Sequence, residues 1–447
     1  SSRQRFLSLH PSWTQAQAID HLRRREFTRL RNGTYLDYTG AGLYPESLIK
    51  SHSDLLRASI FGNPHSSSPS SVLSSRFAHE ARSAILEFFD ADPEQYSVVF
   101  TSNCSNALRL VGESYPYTSG SSRIVLPVDA HNSVNGLREF AIAAGADTVY
   151  IPMDQDVPSA LASLPPLSAP GLFVLTGQSN LTGIKGDLCF LRTAKLEGYD
   201  TLLDAAALAP TSRISISSFE SSVDAMTISL YKMVGFPTGL GALIAKKEFL
   251  MRLRKRWFSG GSVRIVQIPG EGRLLLDGHE RWEDGTINFL SFPVIKPALR
   301  LLKSYMPVLS IRLSLLMHFT LSALRSLSHD DGTPLVLIHS PSTQYTPSKH
   351  GAIISLSVVS STGKFVPPRI VERRASLENI HIRAGCMCNP GATSELLGLA
   401  DRDGPAATLS TYAANEDMER LIEEEGVVRV SFGLASSLED SWAFISF

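Results

Sequence analysis

Lys232 stands in SLYKMVGFPTGLGALIA, after the apolar run DAMTISL and before a glycine-rich turn. A lysine amine at a strand end, beside a turn that lets backbone approach a ligand, can form a Schiff base with an aldehyde cofactor. A surface lysine on a loop has the same local sequence, and exposed lysines are the rule. The reading therefore depends on partners. Asp204 in TLLDAAALAP ends a second apolar run. A buried carboxylate is costly unless partnered, and a protonated pyridine nitrogen is a suitable partner that keeps the ring an electron sink. A helix N-cap is the competing explanation. FTSNCSNALRLVGES passes from a strand through Asn103, Cys104 and Ser105 into a helix. Its free N–H groups and positive dipole end suit a phosphate, although ordinary capping uses the same residues. Ser229, three residues before Lys232, can add a hydroxyl. His131 in VDAHNSVNGLREF can stack on a flat aromatic cofactor and relay protons, or simply cap a helix. Asn180 in GQSNLTGIKG can shape a turn or hydrogen-bond a phenolic oxygen of the cofactor.

IRAGCMCNPGA carries two further candidates, Cys386 and Cys388. A zinc half-site would need a second Cys or Cys/His cluster, which the rest of the chain lacks. A disulfide across a single residue is strained. A nucleophilic thiolate on a flexible loop, with Arg383 and His381 close enough in sequence to lower its pKa, is the more useful reading.

These residues need a scaffold, and the hydropathy pattern supplies one. SVVFTS (97–102), RIVLPV (123–128), GLFVLTG (171–177), TLLDAA (201–206), DAMTISL (224–230) and GALIAKK (241–247) read as strands. Most are continuously apolar, as expected where helices cover both faces of a mainly parallel sheet. EARSAILEFF and SVNGLREFAIAAG show helical spacing between them. Beyond about residue 295 come a long apolar-periodic helix, strands such as GAIISLSVV, a further helix and the closing VVRVSFGLA, which together suggest a smaller α+β domain. HSSSPSSVLSS (65–75) and SPSTQYTPSKH (340–350) read as loops. The expected division is an N-terminal segment over 1–45 packing on the small domain, a large domain over 46–295, and a small C-terminal domain over 296–447 that carries the cysteine loop.

The chain has 447 residues, 43% hydrophobic and 19% charged, enough for a large core and two joined domains. With 42 Lys+Arg against 43 Asp+Glu, the net charge of -1 offers no broad basic field for nucleic acid or an anionic membrane. Four unevenly placed cysteines argue against a disulfide framework and favour a reducing, cytoplasmic compartment. No run of about 18 apolar residues stands out as a membrane span.

Taken in order, YLDYTGAGLYP, FGNPHS, FTSNCSNAL, DAHNSVNGLRE, SNLTG, LLDAA, SLYKMVGFPTGLGAL, RWEDGTINFL, RAGCMCNPGA and VRVSFG cover nearly the whole chain. The set resembles fold-type I pyridoxal-phosphate transferases of the cysteine desulfurase group. It is most similar to the N-terminal desulfurase domain of eukaryotic molybdenum cofactor sulfurases. That resemblance implies an α/β fold and pyridoxal 5'-phosphate held by Lys232, with Asp204 on the pyridine nitrogen and His131 stacked on the ring. It implies Asn180 at the ring oxygen or substrate, and Cys104, Ser105 and Ser229 at the phosphate. Thr286 in DGTIN would reach the phosphate of a neighbouring subunit, which implies a homodimer. Arg429 would grip the carboxylate of L-cysteine, with Arg383 beside the substrate, and Cys388 would receive the sulfur. The chain departs from the pattern at Ala384, where Thr is usual, and at Ala207, where many desulfurases have Gln. Molybdenum cofactor sulfurases also continue into a C-terminal β-rich domain, whereas this sequence ends at Phe447.

The reaction expected from this resemblance has Lys232 as base for the Cα proton and the Cys388 thiolate attacking the substrate sulfur. The products are an enzyme persulfide and L-alanine, and the sulfur goes to the molybdenum cofactor or to an acceptor protein. A C–S lyase acting on a cysteine conjugate would share the cofactor site but release pyruvate and ammonia. A sulfur-carrier or scaffold domain would keep the fold without turnover.

Overall fold

The computed structural model describes residues 11–219, 222–341, 344–398 and 426–447. Its large sheet has seven strands: β1 (Tyr96–Thr101), β2 (Arg123–Pro127), β3 (Asp147–Ile151), β4 (Gly171–Thr176), β5 (Tyr199–Asp204), β6 (Ala225–Ser229) and β7 (Gly241–Lys246). The spatial order is β1-β7-β6-β5-β4-β2-β3, and only β7 runs antiparallel to its neighbours. Alternate residues feed opposite faces of this sheet. Val98 and Phe100 enter one apolar cluster while Val99 enters the other, and Leu203 and Leu202 divide in the same way. Such two-sided burial explains why the strands read as continuous apolar runs. β3 escaped the sequence reading because, as an edge strand, it buries only Ile151 fully.

A second, antiparallel sheet has the order β8-β9-β11-β10, formed by β8 (Val336–Ser340), β9 (Ile353–Val358), β10 (Arg383–Gly385) and β11 (Val427–Ser431). The N-terminal segment is tied to it, since Thr34–Tyr35 pairs in parallel with Ile380–His381 and Asp37 bridges to Ser431.

Three sequence expectations change. The serine-rich stretch over 65–75 is largely helical, because α1 (Pro69–Phe88) starts inside it. Ser68 caps α1 by accepting from Ser71 N–H, proline occupies the first turn, and the Ser74 hydroxyl returns to Ser70 O at 3.2 Å. The helix expected around SVNGLREF is broken at Gly136 into Asn132–Asn135 and Leu137–Ala143. The long helix α2 (Ile295–Arg325) belongs to the stretch Phe289–Arg325, which reaches a mean hydropathy of 1.4 and is long and apolar enough to cross a membrane. Half of that window is buried within the fold, where Leu299, Leu302, Met306, Leu309, Leu313 and Leu316 supply core contacts. Its Arg312 is fully buried, lying 3.8 Å from the Trp13 ring centroid and donating to Ser436 O and Asp20.

Candidate active site

The parallel strands β2, β4, β5 and β6, with β1 in the same sense, deliver their carboxyl ends to one place, where ligands bind in open α/β sheets. Residues just beyond those ends line a cavity of about 140 Å³: Asn103, Cys104 and Ser105 after β1, His131 and Ser133 after β2, Thr176, Gln178 and Asn180 around the end of β4, Asp204 on β5, and Ser229 and Lys232 around the end of β6. Seven of the eleven residues expected at the site therefore meet in one cavity. Lys232 sits in the short helix Leu230–Val234, which ends at Gly235 with φ 75°. Gly42 packs against this turn so closely that a Cβ there would lie 2.7 Å from Lys232 O.

Asp204 is buried, and its Oδ1 accepts from Ala206 N–H at 3.0 Å and from the Cys104 thiol at 3.4 Å. Among the described residues, Oδ2 receives no hydrogen bond. Cys104 lines the cavity at the first position of its helix. Its N–H donates to Ser229 Oγ at 3.0 Å, and its thiol lies between Asp204 and Thr227 Oγ1. Burial and the Asp204 charge push that thiol well above its usual pKa, so it stays a neutral donor. Ser105 and Ser133 hydroxyls meet at 2.6 Å on the cavity wall. His131 caps its short helix, Nδ1 accepting from Ser133 N–H at 3.0 Å, so the neutral ring carries its proton on Nε2. Burial and then the nearby Lys232 charge hold its pKa below 6.5, against an opposing effect of Asp204.

Four expected residues lie outside this cavity. Arg429 Nη1 donates to Asn180 O at 2.9 Å, and Nη2 donates to Asp37 Oδ1 at 2.5 Å. Its Nε is buried without a partner among the described residues, a donor left over for an acidic ligand. Arg383, expected beside the substrate and near the cysteines, is committed to Asp37 Oδ2 at 2.6 Å, drawn there by the buried carboxylate. His381 packs against Tyr35 instead. Thr286 accepts from Asn63 at 3.2 Å and lines a separate open cavity of about 780 Å³ with Trp282 and Asp284.

Cys388 is exposed, and its turn is tied down by hydrogen bonds. Cys388 O accepts from Asn132 N–H at 2.7 Å, next to His131, and Met387 O accepts from Asn180 Nδ2 at 2.7 Å. Asn180 therefore spends its amide on the cysteine turn. Asn389, fully buried, donates to Asp129 and Asn180 and caps helix α3 (Pro390–Leu396).

Two important residues went unnoticed in the sequence. Asp37 and Asp129 stand in quoted motifs, but their side-chain partners, arginines for Asp37 and two hydroxyls and an amide for Asp129, are distant in the chain. The available signal was a carboxylate inside an otherwise apolar run, the same signal that marked Asp204. The cavity suits a flat, anionic aldehyde cofactor. It offers an amine, a neutral imidazole, the start of the helix Cys104–Ser114 and, among the described residues, a carboxylate oxygen with no donor and buried Thr176 Oγ1 and Gln178 Oε1 with no partner. Among the described residues, no His, Cys, Asp and Glu cluster is arranged to hold a metal.

The chain is 36% identical to molybdenum cofactor sulfurase of Bos taurus, and the match covers 96% of this chain and 51% of the relative. The corresponding protein of Solanum lycopersicum is 30% identical, with 100% and 59% covered. The chain thus spans about half the length of these curated relatives. Among solved structures, the cysteine desulfurase of Thermococcus onnurineus NA1 superposes with a TM-score of 0.76 at 21% identity over 96% of both chains. The cysteine desulfurase CsdA of Escherichia coli gives 0.76 at 18%, again over 96% of both. These structures share the fold. The aminotransferase class-V family model matches residues 34–443, nearly the whole chain. Strand-end lysine, buried aspartate and capping histidine thus sit on the scaffold that this match specifies, and the protein belongs to the aminotransferase class-V family.

Proposed function

We propose that this chain is a pyridoxal-phosphate-dependent cysteine desulfurase that lodges the sulfur of L-cysteine on Cys388 and supplies it for sulfuration of the molybdenum cofactor. The observation that carries this reading is that a turn bearing an exposed cysteine is hydrogen-bonded directly to the helix that His131 caps, at the rim of the Lys232 and Asp204 cavity. When bound, pyridoxal phosphate supplies a carbonyl for the substrate amine and a protonated ring that takes up charge from Cα. Lys232 holds the cofactor and, once released, is the amine that removes the Cα proton. Asp204, whose Oδ2 receives no hydrogen bond among the described residues, would pair with the ring nitrogen and keep it protonated. His131, neutral and on the cavity wall, would stack on the ring and offer its Nε2 proton to a neighbouring oxygen. Arg429, held by Asp37 and Asn180 O, has Nε left over as the donor that would meet the substrate carboxylate. The Cys388 thiolate forms an S–S bond with the substrate sulfur as the C–S bond breaks. The carbon keeps that electron pair, gains a proton and leaves as alanine.

Molybdenum cofactor as destination is supported by the names of relatives at 30–36% identity. A homodimer in a reducing, cytoplasmic compartment, with Thr286 completing the partner's phosphate site, belongs to the same proposal. The test is incubation of the reconstituted protein with L-cysteine. Alanine, one sulfane sulfur on Cys388, and loss of both the cofactor absorbance band and turnover in Lys232→Ala are expected. Pyruvate in place of alanine, or normal protein-bound sulfane sulfur in Cys388→Ala, would overturn the reading.

A further inference from the structure

The turn that carries Cys388 is held in a conformation that its own residues disfavour. Met387 and Cys388 are consecutive non-glycine residues in the left-handed region, with φ 55° and 56°. Each such residue costs on the order of 1 kcal/mol and persists only where the surroundings over-determine it. The surroundings here are specific. Asp129, just after β2, accepts from Ser179 Oγ at 2.6 Å, from Thr182 Oγ1 at 2.9 Å and from Asn389 Nδ2 at 2.6 Å. Asn389 Nδ2 also reaches Asn180 Oδ1 at 3.2 Å, and Asn180 Nδ2 donates to Met387 O at 2.7 Å. Asn132 N–H holds Cys388 O at 2.7 Å, and Met387 packs with Leu181, Ala392 and Val427.

From this network we infer that Asp129 is a positioning residue for Cys388. It fixes Asn389 and, through the loop of Ser179 to Thr182, Asn180, and those two amides clamp the cysteine turn against the mouth of the cavity. The clamp also joins Cys388 to the substrate end of the site, because Asn180 O accepts from Arg429 at 2.9 Å. Rigid support of this kind decides whether a nucleophile reaches its near-attack distance, where an error of 1 Å can cost about 10²-fold. Asp129 itself touches neither Lys232 nor Asp204 by any hydrogen bond among the described residues.

The inference rests on the proposed desulfurase reading, and its test separates the two. Asp129→Ala and Asn389→Ser are made in the full chain, serine keeping an N-cap oxygen for α3 while losing the amide that reaches Asp129. Cofactor absorbance, substrate KM, exchange of the substrate Cα proton with solvent, single-turnover persulfide formation, and hydrogen exchange of the 386–389 amides are measured. Expected is unchanged absorbance and Cα exchange, unchanged KM in Asn389→Ser, where the Asp129 contacts to the Ser179–Thr182 loop remain, at least tenfold slower persulfide formation, and at least tenfold faster amide exchange over 386–389. Amide exchange unchanged within twofold in Asn389→Ser overturns the clamp. Faster exchange with persulfide formation unchanged within twofold overturns the positioning role. If Asp129→Ala fails to fold, Asn389→Ser alone decides. A wild-type protein that forms no persulfide refutes the desulfurase reading, and the amide exchange still tests the clamp.

Discussion

Asp37→Asn tests the electrostatic centre of the substrate side. Asp37 is 8% exposed and Arg429 is 2% exposed, and they meet at 2.5 Å. Removing one partner of a buried ion pair leaves an uncompensated charge, typically at a cost of about 3–5 kcal/mol. Arg383 is the second cation on Asp37, but its side chain is 51% exposed, so solvent limits its share to about 0–1 kcal/mol. Asparagine keeps the size and one acceptor, which places the expected loss near the lower bound, about 3 kcal/mol, or roughly a hundredfold in the folded-to-unfolded ratio. The same substitution made in an Arg429→Leu background should cost only about 1 kcal/mol or less, because the buried cation is gone and Arg383 remains hydrated. The assay is urea unfolding followed by tryptophan fluorescence and far-ultraviolet circular dichroism, compared only where the two transitions coincide. Equal costs in the two backgrounds, within about 0.5 kcal/mol, would mean that Asp37 and Arg429 are not energetically coupled, and the account of how Arg429 is held would be wrong.

Gly42→Ala places a methyl 2.7 Å from Lys232 O, a backbone atom that cannot swing away, so a loss of about 1–3 kcal/mol and weaker cofactor retention are expected by thermal melting and absorbance titration. Asp204→Asn removes the charge proposed for the ring nitrogen while keeping the shape. Turnover should fall by on the order of 10²-fold or more with a shifted absorbance band, and normal turnover would remove Asp204 from the mechanism. His279 is held down to about 4, mainly by burial with Arg82 and His79 adding, against a usual 6.5. Its folded pKa lies below its unfolded one, so its contribution to stability is intact above about pH 6.5 and is lost as the pH falls toward about 4. His279→Gln should flatten the stability profile in that window, and an unchanged profile would show that other groups control it.

The site is split in how far the sequence revealed it. Lys232, Asp204, His131, Ser105 and Ser229 follow or end apolar strands, and a parallel sheet must bring the carboxyl ends of such strands together. Their convergence is therefore encoded in local pattern: continuous apolar runs for the strands, small and capping residues after them. The helix α2 and six of the seven large-sheet strands were legible for the same reason. α1 was misread at its start because serines that form turns in isolation also cap and pack a helix once their hydroxyls find backbone carbonyls.

What local pattern cannot encode is which charge finds which. Arg383 is three residues from Cys386 in sequence, yet its guanidinium belongs to Asp37, because a buried carboxylate 346 positions away attracts it more strongly than an exposed thiol. Asn180 reads as a cofactor contact, but its amide holds the cysteine turn. The sequence by itself determined the sheet, the chemistry-bearing strand ends and the presence of a paired-cysteine motif, since these depend on hydrophobic period and residue type. Only the tertiary structure decided that Asp37 gathers Arg383 and Arg429 and that Asp129 and Asn389 hold the cysteine turn, because hydrogen bonds and ion pairs between distant segments depend on three-dimensional proximity and burial, which no single-chain spacing records.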